Sequence, residues 1–170
     1  MGEPLIKLEG LSKSYGSIRA LDDLSMEVPE GSVCGLLGPN GSGKTTAIRV
    51  LLGLSNPSAG RATLFGSTSK DPAFVLSLRQ TGALIEGPAL YGRATARQNM
   101  EIEASAKGVR DPAGQILDLL TLVGLSEWAD RKPQTFSLGM KQRLGLALTL
   151  IGTPRLVILD EPTNGLDPAG

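Results

Sequence analysis

The sequence predicts an α/β fold with a covered parallel sheet and an inserted helical segment. Three observations carry that prediction. Two short apolar runs, Val33-Cys34-Gly35-Leu36-Leu37 and Leu156-Val157-Ile158-Leu159, have the length and composition of strands buried on both faces. Each run ends in polar chemistry, glycine-rich after the first and acidic after the second. Between them, from about residue 87 to 135, the pattern becomes helical.

The elements follow in chain order. Ile6-Lys7-Leu8-Glu9 alternates apolar and polar as a half-buried strand does, and residues 24–28 read the same way. Pro29-Glu30-Gly31-Ser32 is turn chemistry leading into the first apolar run, where Cys34 is expected to pack as a small hydrophobe. Residues 45–54 have helical apolar spacing, ended by Asn56-Pro57-Ser58-Ala59-Gly60. Thr95-Ala96-Arg97-Gln98 matches a capping box, so a helix should run from there to about Lys107. Asp111 as N-cap and Pro112 at the first helical position open a second helix, with Ile116, Leu119, Leu120 and Val123 on one face and Gly124 at its end. Residues 144–151 form an apolar helix stopped by Pro154, and the second apolar run follows. Tyr91 and Trp128 are expected to pack in the ordinary way.

Composition narrows the function. The 170 residues carry 17 basic and 17 acidic side chains, so there is no cationic excess of the kind a nucleic-acid binder shows, and no nucleic-acid partner is expected. The absence of histidine excludes histidine metal sites and histidine general bases. A single cysteine excludes an internal disulfide and suits a reducing compartment. No apolar run approaches the roughly 18 residues of a membrane span, and no apolar leader stretch opens the sequence.

Gly38-Pro39-Asn40-Gly41-Ser42-Gly43-Lys44-Thr45 fits the phosphate-loop (Walker A) pattern at every position. Glycines allow a tight turn that brings backbone N–H groups against phosphate oxygens. The helix start near Gly43 points its free N–H groups and positive dipole end at the same anion. Lys44 is placed to reach the β- and γ-phosphates, and the Thr45 hydroxyl to ligate Mg²⁺. Asp160, at the end of the second apolar run, can hold Mg²⁺ directly or through water. Glu161 can orient or deprotonate an attacking water. The pattern therefore predicts ATP and Mg²⁺ as ligands.

Phe136-Ser137-Leu138-Gly139-Met140-Lys141-Gln142-Arg143, one helix before the acidic run, resembles the signature motif of the ATP-binding cassette (ABC) family. Ser137 and Gly139 match the family pattern; Phe136, Leu138 and Met140 depart from it. The resemblance implies a P-loop NTPase (RecA-like) core over residues 1–86 and 136–170, with an antiparallel β subdomain and a helical subdomain at 87–135. It also implies that Thr46 joins residues 38–45 around the nucleotide, and that Tyr15 stacks on adenine. Ser137 and Gly139 would contact the γ-phosphate held by a second subunit in a head-to-tail dimer, and Asp167, in Gly165-Leu166-Asp167, would communicate across that dimer. Glu86 stands where the family has a glutamine that reaches the metal and nucleotide, a variant similar to the bacitracin- and lantibiotic-resistance exporters.

The same resemblance implies an ATPase subunit that drives a separate membrane permease and lies at the inner face of the cell membrane. The family's switch histidine lies beyond the point where this sequence ends, on a strand between the two apolar runs, so the fold is expected to be incomplete at its C-terminus and the fragment weakly stable and nearly inactive as an ATPase. A soluble ABC ATPase that does not transport is the alternative. A P-loop kinase or GTPase would leave the signature stretch unexplained.

Overall fold

A computed structural model describes residues 3–162, which divide into two compact units, one running to Leu78 and the other starting at Arg79.

The first unit is built on a three-stranded antiparallel sheet in the order β2-β1-β3, with β1 at Ile6–Tyr15, β2 at Ile18–Val28 and β3 at Ala59–Leu64. Both strands of the first hairpin are longer than the alternating pattern predicts. The pairing of β1 with β2 shifts register three times between Leu8 and Ser14, and Leu8 and Leu11 are both buried although they stand three positions apart. Serines satisfy the displaced backbone there. The Gly10 N–H donates to Ser25 Oγ at 2.9 Å, and the Asp23 N–H donates to Ser12 Oγ at 2.9 Å. Gly10 and Asp23, within this irregular stretch, take positive φ values of 57° and 52°. β3, in Ala59-Gly60-Arg61-Ala62-Thr63-Leu64, has little apolar alternation to announce it. Gly60 lets it close on β1, because a Cβ there would collide with the Gly10 carbonyl. Helix α1, Lys44–Leu51, packs Ala47, Ile48, Val50 and Leu51 inward, and a short helix α2 covers Phe74–Arg79.

The run of residues 33–37, read as a buried strand, forms no strand among the described residues. Val33 and Leu37 are fully exposed, and Cys34 is exposed rather than packed in a core. Apolar composition creates the demand for burial, but a strand also needs a ladder partner, and no described strand pairs with this run.

The second unit holds a two-stranded parallel sheet, β4 (Thr81–Leu84) beside β5 (Leu156–Leu159), with helix α5 (Leu138–Leu150) packed on it. Gly82 makes that packing possible: a Cβ there would fall on the backbone of Thr149. Helices α3 (Ala96–Lys107) and α4 (Ala113–Leu122) share an apolar core with α5, centred on Met100, Ile116, Leu120, Leu125 and Leu144. The capping box forms as expected. Thr95 Oγ1 accepts from the Gln98 N–H at 3.2 Å, and Gln98 Oε1 accepts from the Thr95 N–H at 2.9 Å. The start of α4 shifts by one residue, so Pro112 rather than Asp111 is its N-cap, with its carbonyl accepting from the Ile116 N–H. Ile116 and Leu120 are buried, Leu119 and Val123 pack against the same cluster, and Gly124 ends the helix at φ 66°. Trp128 packs edge-on against Phe136, ring centroids 5.9 Å apart. Tyr91, by contrast, is exposed, and Asn99 bonds its backbone N–H and carbonyl.

Candidate nucleotide site

In the first unit, residues 38–43 form a loop that enters α1 with Gly43 as its N-cap. Gly41 and Gly43 have φ of 81° and 94°, a conformation that β-carbon-bearing residues resist. Gly43 has a second constraint, since a Cβ would strike the Ala20 carbonyl and the Leu21 side chain, so the loop seats directly on β2. Glycine at the N-cap supplies no capping side chain, and a helix start of that kind favours an anion. The Lys44 ammonium arches back over that loop and donates to the Gly38 carbonyl at 2.9 Å and the Pro39 carbonyl at 3.0 Å. The Ser42 N–H closes the turn on the Pro39 carbonyl at 3.2 Å. Asn40 lies on the exposed crest, and Thr45 and Thr46 are half-buried in the first turn of α1.

Tyr15 ends β1, opposite Ile18, the first residue of β2. Two residues further along β2 is Ala20, the floor under Gly43. At about 3.3 Å per residue, the ring and the loop are anchored on one hairpin within about 7 Å of strand. The sequence did not reveal the part Ala20 and Leu21 play, because nothing in a strand's composition records which of its carbonyls will meet a glycine. Lys13, also unassigned from sequence, sits with its Nζ 4.9 Å from the Tyr15 ring centroid.

In the second unit, β4 and β5 run parallel with Leu84 paired to Leu159, so Glu86 and the Asp160-Glu161 pair leave the sheet at the same carboxyl end. That end is where open α/β sheets bind ligands. Asp160 is buried and its N–H donates to the Leu84 carbonyl at 2.8 Å, which ties the two strand ends together. Glu86 and Glu161 are exposed and both adopt left-handed backbone, φ 57° and 49°. Among the described residues, no three Asp, Glu, Cys or His side chains gather as a metal cage. Mg²⁺ does not ask for one, because it takes one or two carboxylates and fills its shell with phosphate oxygens and water. Asp160 and Glu86, at the carboxyl end of β5 and β4, carry carboxylates of that kind.

Ser137 caps α5, its hydroxyl accepting from the Met140 N–H at 3.2 Å, and it is exposed with Gly139 half-buried behind it. Phe136, which departs from the family pattern, is buried in the helical core, so the departure is absorbed by packing. Asp167 lies outside the described residues.

A glycine loop opening a helix, together with acidic residues at the carboxyl end of parallel strands, defines the P-loop class of nucleotide-binding α/β proteins. The ABC transporter family model matches residues 21–164, and the chain belongs to that family. It is 44% identical, over 98% of its length and 70% of the relative's, to the lantibiotic transport ATP-binding protein SrtF of Streptococcus pyogenes. It is 45% identical to the bacitracin transport ATP-binding protein BcrA of Bacillus licheniformis, over 98% of its length and 54% of that protein's. The chain thus spans from about half to about two thirds of the curated relatives it matches. The solved ATP-binding subunit of an ABC transporter superposes with a TM-score of 0.89 at 31% identity, covering 96% of this chain and 69% of that one. No helix among the described residues is long and apolar enough to cross a membrane.

Proposed function

We propose that this chain binds and hydrolyses MgATP as a subunit of a bacterial exporter, working with a second nucleotide-binding subunit and a separate membrane permease. The observation that supports the reading best is the seating of Gly43 on Ala20, two residues from the cross-strand partner of Tyr15. Phosphate cradle and base-stacking ring are then anchored on one hairpin. In this reading residues 38–46 wrap the phosphates, Lys44 neutralises the β- and γ-phosphates, and Tyr15 stacks on adenine. Thr45, Asp160 and Glu86 hold Mg²⁺, whose charge offsets that developing on the phosphates. Glu161 orients the attacking water or takes its proton. Ser137 and Gly139 present the start of α5 to the γ-phosphate of ATP held by the other subunit, and Asp167 reports across the dimer.

The reading divides the protein into an ATP-binding core, residues 1–86 and 136–170, and a helical subdomain, 87–135. It places the protein in the cytoplasm, on the inner face of the membrane. Relatives that serve lantibiotic and bacitracin transport favour peptide antibiotics as cargo.

The test is a MgATP titration followed by turnover on the full protein. Lys44→Ala should abolish binding. Glu161→Gln should retain binding and lose turnover; unchanged turnover would remove Glu161 from the role of base. Failure to co-purify with a multispanning membrane protein would point to a non-transport ABC ATPase instead.

A further inference from the structure

Lys13 and Tyr15 stand two apart at the end of β1, on either side of a register shift in its pairing with β2. The Lys13 ammonium lies 4.9 Å from the centre of the Tyr15 ring. It is tethered there from the other side, donating to the Asn56 carbonyl at 2.6 Å. The tether is itself fixed to the strand. The Ser14 N–H donates to Ser58 Oγ at 3.0 Å, and the Ser58 N–H donates to the Ser12 carbonyl at 2.8 Å. Residues 56–58 therefore form a brace alongside β1, and Lys13 spans the gap from brace to ring. Tyr15 remains 47% exposed, and its cross-strand neighbour Ile18 is exposed as well.

We propose that Lys13 is a positioning residue for the nucleotide base: its ammonium, anchored on Asn56, occupies one face of Tyr15 and presents the other face to the purine. The inference rests on the reading of Tyr15 as the base-stacking ring. Two physical effects make the arrangement useful. A ring already fixed by a cation loses less freedom when a base docks on it. A cation on one face also restricts stacking to the opposite face, which sets the side from which the purine approaches.

The experiment compares MgATP with magnesium tripolyphosphate, which carries the phosphates without a base. Each displaces a fluorescent ATP analogue from the full protein and from three variants. Tyr15→Ala should weaken MgATP by about 10-fold or more, the range of one lost base stack, and leave tripolyphosphate unchanged. Lys13→Met should weaken MgATP by about 3- to 10-fold with tripolyphosphate again unchanged, and Lys13→Arg should restore it. If Tyr15→Ala weakens MgATP and Lys13→Met does not, the role of Lys13 is overturned while the stacking role of Tyr15 stands. Equal weakening of both ligands by Lys13→Met would make Lys13 a general support or a phosphate attractor, and would also overturn the proposal. Unchanged MgATP affinity in Tyr15→Ala would overturn the stacking reading and the role of Lys13 together.

Discussion

Lys107 closes the C-terminus of α5 from another helix: its Nζ donates to the Ile151 carbonyl at 2.9 Å and approaches the Thr149 carbonyl at 3.5 Å. The side chain is only 7% exposed, with Glu103 3.4 Å away. From α4, Gln115 Oε1 accepts from the Gly152 N–H at 3.0 Å. The turn from the signature helix into the acidic strand is therefore held by both α3 and α4. Lys107→Met keeps the stem and strands the carbonyls, and should cost about 1–2 kcal/mol in chemical denaturation. An unchanged midpoint would show that water serves those carbonyls equally well.

Burial lowers the Lys107 pKa below the ordinary lysine value, against the smaller opposing pull of Glu103. The unfolded chain therefore binds this proton more readily than the folded one. Between the lowered folded-state value and the ordinary value, stability should rise with pH on account of this residue. Denaturation of the wild type and Lys107→Met across the alkaline range checks the sign. The wild-type advantage should widen as pH rises through that window.

Asn99 is buried and uses its whole amide on the loop before α3. Its Oδ1 accepts from the Tyr91 N–H at 2.8 Å, and its Nδ2 reaches the Thr95 carbonyl at 2.8 Å and the Tyr91 carbonyl at 3.2 Å. Asn99→Ala removes these bonds and should destabilise the protein by about 2–3 kcal/mol. Asn99→Asp keeps the acceptor and loses the donors. It should leave the Tyr91 amide more protected from hydrogen exchange than Asn99→Ala does.

Gly43→Ala tests the seat of the phosphate loop. The added methyl must displace either the Ala20 backbone or the loop, at a φ of 94° that alanine also resists. MgATP affinity should fall by about 10-fold or more, a cost of 1.4 kcal/mol or above. Gly41→Ala meets no neighbouring atom within 4 Å and carries only the conformational penalty, so it should bind more tightly than Gly43→Ala. The reverse order would show that the contact with Ala20 is not what shapes the loop.

Local signals were legible in the sequence, and pairings between distant segments were not. The phosphate loop, the Thr95 capping box and the buried face of α4 each depend on residues within a turn or two of one another, and each formed. β3 and α2 escaped notice because six-residue elements without clear periodicity earn their structure from neighbours, as Gly60 does from Gly10. Lys107, Asn99 and Lys13 read as ordinary polar residues, since their partners lie in other segments or in loop backbone. The two apolar runs looked alike in composition, yet one became β5 and the other did not. Hydrophobicity expresses a need for cover, whereas a strand also requires a second backbone at hydrogen-bonding distance.

That contrast yields the last prediction. Val33 and Leu37 are fully exposed outside any ladder, whereas Ile158 is 8% exposed in a strand paired to β4. In the 170-residue chain, amides of residues 33–37 should exchange with solvent at nearly unprotected rates, and those of the β4–β5 pair should be slower by a factor on the order of 10³ or more. In the same 170-residue chain, Leu37→Ser should change stability by less than about 0.5 kcal/mol, as surface substitutions do, and Ile158→Ala should cost about 2–5 kcal/mol. Strong protection at residues 33–37, or a large penalty for Leu37→Ser, would mean that this run does find a ladder partner in solution and that the buried-strand reading of its sequence was correct.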